Sequence, residues 1–178
     1  MNLVMQACRE MDVAPEAQAL IPPEATPQAA VRALIDAGRH QAALQLLARV
    51  LPRRYAVAWL CQCARGIGLS ADDMAGAALA ERWVREPDEA NRRAALDFAE
   101  AGDYATAGAW VAAAAGWAGG SLAPPGQPVV GPPPHLTACA AVAAINMMAA
   151  QDAVSFAARR AGLLAHALAL LGDTGQAD

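Results

Sequence analysis

The 178-residue chain predicts an all-α fold, an irregular stack of seven or eight helices paired as hairpins. Three observations carry this expectation. Apolar residues recur at three- and four-residue spacing through most of the chain, as they do along one face of a helix. No stretch alternates over a strand's length, and β-branched residues are few. Apolar residues make up 56% of the chain but aromatics only 4%, so Ala, Leu, Val, Met and four tryptophans (Trp59, Trp83, Trp110, Trp117) must fill the interior. Ala is the best helix former and occupies little volume, so such helices pack closely.

Residues 1–25 start as a short helix and run into Ala19-Leu20-Ile21-Pro22-Pro23, where consecutive prolines forbid helix. They read as an N-terminal arm. One α-helical domain is expected over residues 26–172, followed by a polar tail, 173–178. Thr26-Pro27 supplies an N-cap and a proline at the first helical position, Val31, Leu34 and Ile35 share a face, and Gly38 ends the helix. A second helix carries Ala43, Leu46, Leu47 and Val50, stops at Pro52, and makes a hairpin with the first. The third aligns Ala56, Trp59, Leu60 and Cys63 and ends at Gly66-Ile67-Gly68. Ser70 and Asp73 resemble a capping box opening a fourth helix, with a stripe of Gly76, Leu79, Ala80 and Trp83.

Pro87-Asp88-Glu89 begins the fifth helix, with acidic residues where the helix dipole favours them. Its expected face is Asn91, Ala94, Ala95 and Phe98, and Gly102 closes it. Asp103 is placed to cap a sixth, carrying Ala107, Trp110, Val111, Ala114 and Trp117. Two more helices follow, one with Leu136, Ala140, Ala143, Ala144 and Met147, the other with Phe156, Leu163, Leu164, Ala167 and Leu171. Ala37-Gly38 and Ala101-Gly102 open similar octapeptides 64 positions apart, close to twice the tetratricopeptide period, which makes the stack tetratricopeptide-like in part.

Between these helices, residues 119–134 are rich in Gly and Pro and cannot be helical. A flexible linker is polar, whereas this segment carries Leu122, Val129 and Val130, so it is expected to be an ordered loop packed back on the helices, with Trp117 against it, or to receive a partner.

Charge and residue chemistry exclude several functions. The net charge is −4, and all thirteen basic residues are Arg, mixed with acidic ones, which leaves no footprint for nucleic acid. No run of about 18 apolar residues offers a membrane span, and no basic region followed by an apolar stretch marks a signal peptide, so a cytoplasmic protein is expected. The scattered cysteines Cys8, Cys61, Cys63 and Cys139 read as small buried hydrophobes. His40, His135 and His166 lie on separate elements without ligand spacing, so neither metal nor other cofactor is expected. The acidic residues fall in first turns or on solvated faces, and Ser121 lacks the Gly-x-Ser-x-Gly frame of a nucleophile elbow. Arg53-Arg54 lies too deep in the chain for twin-arginine export.

What remains is binding to another protein. Arg and Trp are enriched at interface hot spots. The contact candidates are Arg53, Arg54, Tyr55, Trp59 and Trp117, with Leu122, Pro124, Pro125, Val129 and Val130 of the loop; a core tryptophan beside a solvated arginine pair is the structural alternative.

Three segments, Leu51–Arg65, Trp83–Ala95 and Gly119–Gly126, resemble an uncharacterised bacterial family of small helical proteins associated with gene clusters for type VI secretion spike and tip proteins. The likeness covers roughly residues 27–170 and supplies no catalytic residue. It implies an accessory role, an adaptor or chaperone that holds an effector or spike component before secretion. An immunity protein that binds a cognate toxin is the first alternative, and an enzyme with an unrecognised site the second.

Overall fold

In a computed structural model, residues 2–174 are described; they form ten α-helices and, among those residues, no strand. The helices are α1 (Leu3–Glu10), α2 (Pro15–Gln18), α3 (Pro27–Asp36), α4 (His40–Val50), α5 (Arg53–Ile67), α6 (Ala71–Arg85), α7 (Glu89–Ala101), α8 (Ala107–Gly116), α9 (Leu136–Ala150) and α10 (Phe156–Thr174). The chain is an all-α stack of hairpins in which α3 to α10 are the eight helices expected. None is long and apolar enough to cross a membrane. Two compact units divide it: Met1–Pro52 with Ala149–Asp178, and Arg53–Met148.

In the first unit the expected N-terminal arm is part of the helical packing. Val4, Ala7, Cys8 and Met11 lie at i, i+3, i+4, i+7 and are buried, and α1 packs on α3 and α4. Asn2 caps α1 by accepting from the Val4 N–H at 2.9 Å, and Gln45 Nε2 donates to the Met11 carbonyl at 2.8 Å. Thr26 caps α3 as expected, with Pro27 behind it. α10 packs on α3 and α4 and runs through Thr174, so Asp173 and Thr174 continue a helix; residues 175–178 of the expected tail lie outside the described residues.

One turn recurs. At the end of α3 the Arg39 N–H reaches the Leu34 carbonyl and the Gly38 N–H that of Ile35, a Schellman motif with Gly38 at φ +70°. The same pair of bonds closes α1, with Asp12 at φ +51°, and α7, with Asp103 at φ +50°. Asp103 therefore ends α7 and does not cap α8. That cap is Thr106, whose Oγ1 accepts from Ala109 N–H at 3.3 Å.

The second unit is built around α8, which packs on α5, α6 and α7. From Ala107 to Gly116 every residue is buried except Trp110, which is half-buried. A helix apolar all round has to be enclosed, and this one has little side chain with which to meet its neighbours. Backbones meet instead. A Cβ on Gly108 would collide with the Cα and carbonyl of Asp73 in α6, one on Gly76 with the Gly108 carbonyl, and one on Gly116 would stand 2.8 Å from Leu96 Cα in α7. The same approach redirects Asp73. Its backbone N–H is held by Ser70 Oγ at 3.2 Å, but its carboxylate accepts from the Gly108 N–H at 2.8 Å, in place of the reciprocal bond of a capping box. Leu69, Trp59, Trp83 and Leu96 are among the larger side chains buried in this unit beside the Ala and Gly residues.

Gly108→Ala is expected to destabilise the fold by about 1–3 kcal/mol in urea unfolding, the usual cost of overpacking. Gly66→Ala, on an open face of α5 with nothing within 4 Å, is expected to be neutral or stabilising by about 0.5–1 kcal/mol.

Candidate functional site

The buried face of α7 is Arg92, Ala95, Leu96 and Ala99, one position away from the expected stripe of Asn91, Ala94, Ala95 and Phe98. An arginine stands on it because its guanidinium finds a partner in every direction. Arg92 is 2% exposed. It donates from Nε and Nη2 to both carboxylate oxygens of Glu89, at 2.7 and 2.5 Å, and from Nη1 to the Gly116 carbonyl at the end of α8. Nη2 also reaches the Ser121 carbonyl at 3.2 Å, as does Nη2 of Arg93. The fork geometry of Arg suits such simultaneous contacts, and a buried charge needs them. Arg92 and Arg93 together hold the Glu89 carboxyl below its ordinary range, chiefly through the Arg92 hydrogen bonds.

This cluster anchors the Gly/Pro-rich loop. Gly120 lies against the Arg92 guanidinium at φ +64°, where a Cβ would stand 2.5 Å from Nε and push the clamped side chain from its partners, which favours glycine there. Ser121 is the knot: its carbonyl accepts from both arginines, while its Oγ accepts from the Ala123 N–H at 3.1 Å and the Val130 N–H at 3.0 Å. The Leu122 N–H reaches the Val130 carbonyl at 2.8 Å, closing the loop on itself. Between them Pro124-Pro125-Gly126-Gln127 turns with Gln127 N–H on the Pro124 carbonyl and Gly126 at φ +83°, the arrangement of a type II turn with Pro second and Gly third. Ser121 thus has a structural hydroxyl, engaged as an acceptor by two backbone amides.

The expected contact residues sort differently. Arg53 Nη1 donates to the Ala118 carbonyl at 2.8 Å, at the mouth of the loop. Arg54 satisfies the last carbonyls of α6, Val84 and Arg85, at 2.7 and 3.3 Å. Tyr55 is exposed. Trp59 is fully buried and belongs to the core; its place on the i, i+4 stripe with Cys63 aims it inward. Trp117 is half-buried and packs on Tyr104 and Trp110, ring centroids 5.5 and 5.9 Å away. Tyr104 reaches them from a left-handed backbone, φ +53°. In the loop Leu122 is half-buried and Pro124 and Pro125 are exposed. Val129 is 80% exposed and Val130 52%, so these two do not pack back on the helices: the bonds at Ser121 and Leu122 order the loop through its backbone and leave their side chains outside.

Cys8, Cys61 and Cys63 are buried, and burial raises the pKa of each of these thiols. Burial pushes Cys61 and Cys63 up to about 12, so neither carries thiolate at neutral pH. Among the described residues no three His, Cys, Asp or Glu side chains gather as a metal site. His40 lines a cavity of about 330 Å³ in the first unit with Asp12, Glu16, Arg39, Gln45 and Arg160, charges of both signs.

Sequence reading missed Arg92. Its signal was the spacing of Glu89 to Arg92 and Arg93, i+3 and i+4, which on an exposed helix is an ordinary surface pair.

Fold and site define a class: an all-helical hairpin protein that carries one proline-rich loop clamped by a buried arginine. Within it, the chain belongs to a family of unknown function (DUF6931), whose model matches residues 30–171. Comparison with curated proteins and with solved structures gives no match.

Arg92→Met is expected to cost about 1–3 kcal/mol, since it leaves the buried Gly116 carbonyl without its donor, and to speed amide exchange at residues 119–123. Ser121→Ala should speed exchange at Ala123 and Val130 with little change in global stability. Because the Glu89 pKa is lowered in the fold, the clamp contributes fully above the ordinary value of 4.5 and is lost as pH falls through the lower folded value. Loop exchange, corrected for intrinsic rates, should rise in that acid window and stay flat above it.

Proposed function

We propose that the protein is a non-enzymatic protein-binding module, an accessory adaptor or chaperone that holds a type VI secretion effector or spike/tip component before secretion. One observation carries the binding role: a loop ordered by a buried arginine and a serine knot, yet presenting Val129 and Val130 to solvent. Apolar side chains held in one conformation on the surface have lost their ordering entropy in advance, which favours association. The half-buried Tyr104, Trp110 and Trp117 add aromatic surface of the kind that dominates interface energies. The secretion context rests on the likeness of Leu51–Arg65, Trp83–Ala95 and Gly119–Gly126 to proteins of spike and tip gene clusters.

Affinity capture from the native host with the full chain as bait is expected to retain a secretion effector, spike or tip protein. Replacing residues 121–133 by a Gly/Ser linker should keep helical circular dichroism and weaken that complex about tenfold or more, about 1.4 kcal/mol. Rescue of cells from a cognate toxin, with no spike or effector retained, would make the protein an immunity factor instead.

A further inference from the structure

We propose that residues 128–134 are read by the partner as a polyproline II strand, in a groove walled by aromatic side chains. This rests on the protein-binding function above and names the chemistry of the partner's site. The backbone of the run is constrained from both sides. Pro128, Pro132, Pro133 and Pro134 have φ fixed near −65°, and Gln127, Gly131, Pro132 and Pro133 each precede a proline, which bars the right-handed helical region. Residues 128–133 lie outside helix and strand, and the peptide bonds of the described residues are trans. Pro128, Val129, Val130, Gly131, Pro133 and Pro134 are exposed.

The recurring modes of peptide recognition then separate by chemistry. Addition to a sheet edge needs a ladder of N–H donors, and four of these seven residues are prolines without one. A fifth, Val130, already gives its N–H to Ser121 Oγ and its carbonyl to the Leu122 N–H. Docking of a helix is excluded because the run is not helical. Capture by a charged cluster has nothing to act on, since no residue from Leu122 to Pro134 is charged. What the run offers is exposed proline rings, a bare valine and a proline-constrained, non-helical backbone, the features that aromatic-lined grooves bind. The Ser121 knot fixes its inner edge at Val130 and so holds the strand out from the helices.

The test uses the full chain in complex with the secretion effector, spike or tip protein captured above, followed by fluorescence anisotropy. A proline decamer, which holds polyproline II in water, should displace the chain, and a Gly/Ser decamer should not. The double variant Pro132→Ala/Pro133→Ala and, separately, Val129→Asp should each weaken the complex about tenfold or more. Val129 is 80% exposed, so Val129→Asp leaves the fold intact and keeps the test decisive if the double variant disturbs the loop. A complex indifferent to the proline decamer, or unchanged affinity of Val129→Asp, would overturn the polyproline II reading and leave the protein-binding function standing. Failure to form any complex would remove both.

Discussion

The second unit depends on the approach of α6 and α7 to the backbone of α8. An Ala- and Gly-rich helix has no long side chains with which to hold its neighbours at the usual 8–10 Å, so Gly76, Gly108 and Gly116 let the backbones themselves come into contact. Two features follow from that geometry. Asp73 is brought within 2.8 Å of the Gly108 N–H and serves the start of α8, and Leu96 Cα is laid against the end of it at Gly116. With α7 docked there, Arg92 is carried under the Gly116 carbonyl, and the exit of α8 becomes the place where the loop is tied.

The loop is therefore an extension of the helix packing. Its anchor is a guanidinium that serves Glu89, Gly116 and Ser121 at once, and lysine, a point charge on a flexible stem, does not reproduce that fork. Ser121 transmits the order onward, from the arginine pair on one side to Val130 on the other. Here hydrogen bonding supplies the order that burial supplies elsewhere.

Most of the helices were legible from the sequence because their signals are local: Thr26-Pro27 and Ser70 as caps, Pro52 as a stop, and the three- and four-residue spacing in between. The N-terminal helix carried the same periodicity in Val4, Ala7, Cys8 and Met11, but it is short, and the prolines behind it drew attention to the segment as an arm. The site was less legible. Arg92 reads as half of a surface pair unless it is known that α8 ends above it, and that depends on glycine contacts between residues far apart in sequence. Trp59 and Trp117 look alike as tryptophans on apolar stripes, yet one is sealed in the core and the other is left half-open beside Tyr104. Val129 and Val130 were expected either to pack back on the helices or to receive a partner, and what separates the two is the backbone bonding at Val130 set by Ser121, which no spacing rule couples to it.

A core of alanine and glycine has a thermal consequence. Burial of apolar area raises the heat capacity of unfolding and burial of backbone amides lowers it. In α8, nine of ten residues are enclosed, and eight of those nine are Ala or Gly, so the enclosed surface is unusually rich in peptide groups. A unit assembled this way has a smaller heat-capacity increment than its length alone implies, and its stability curve is correspondingly shallow. It loses less on cooling than a leucine-filled bundle of the same size, and its stability varies little over a wide span of temperature.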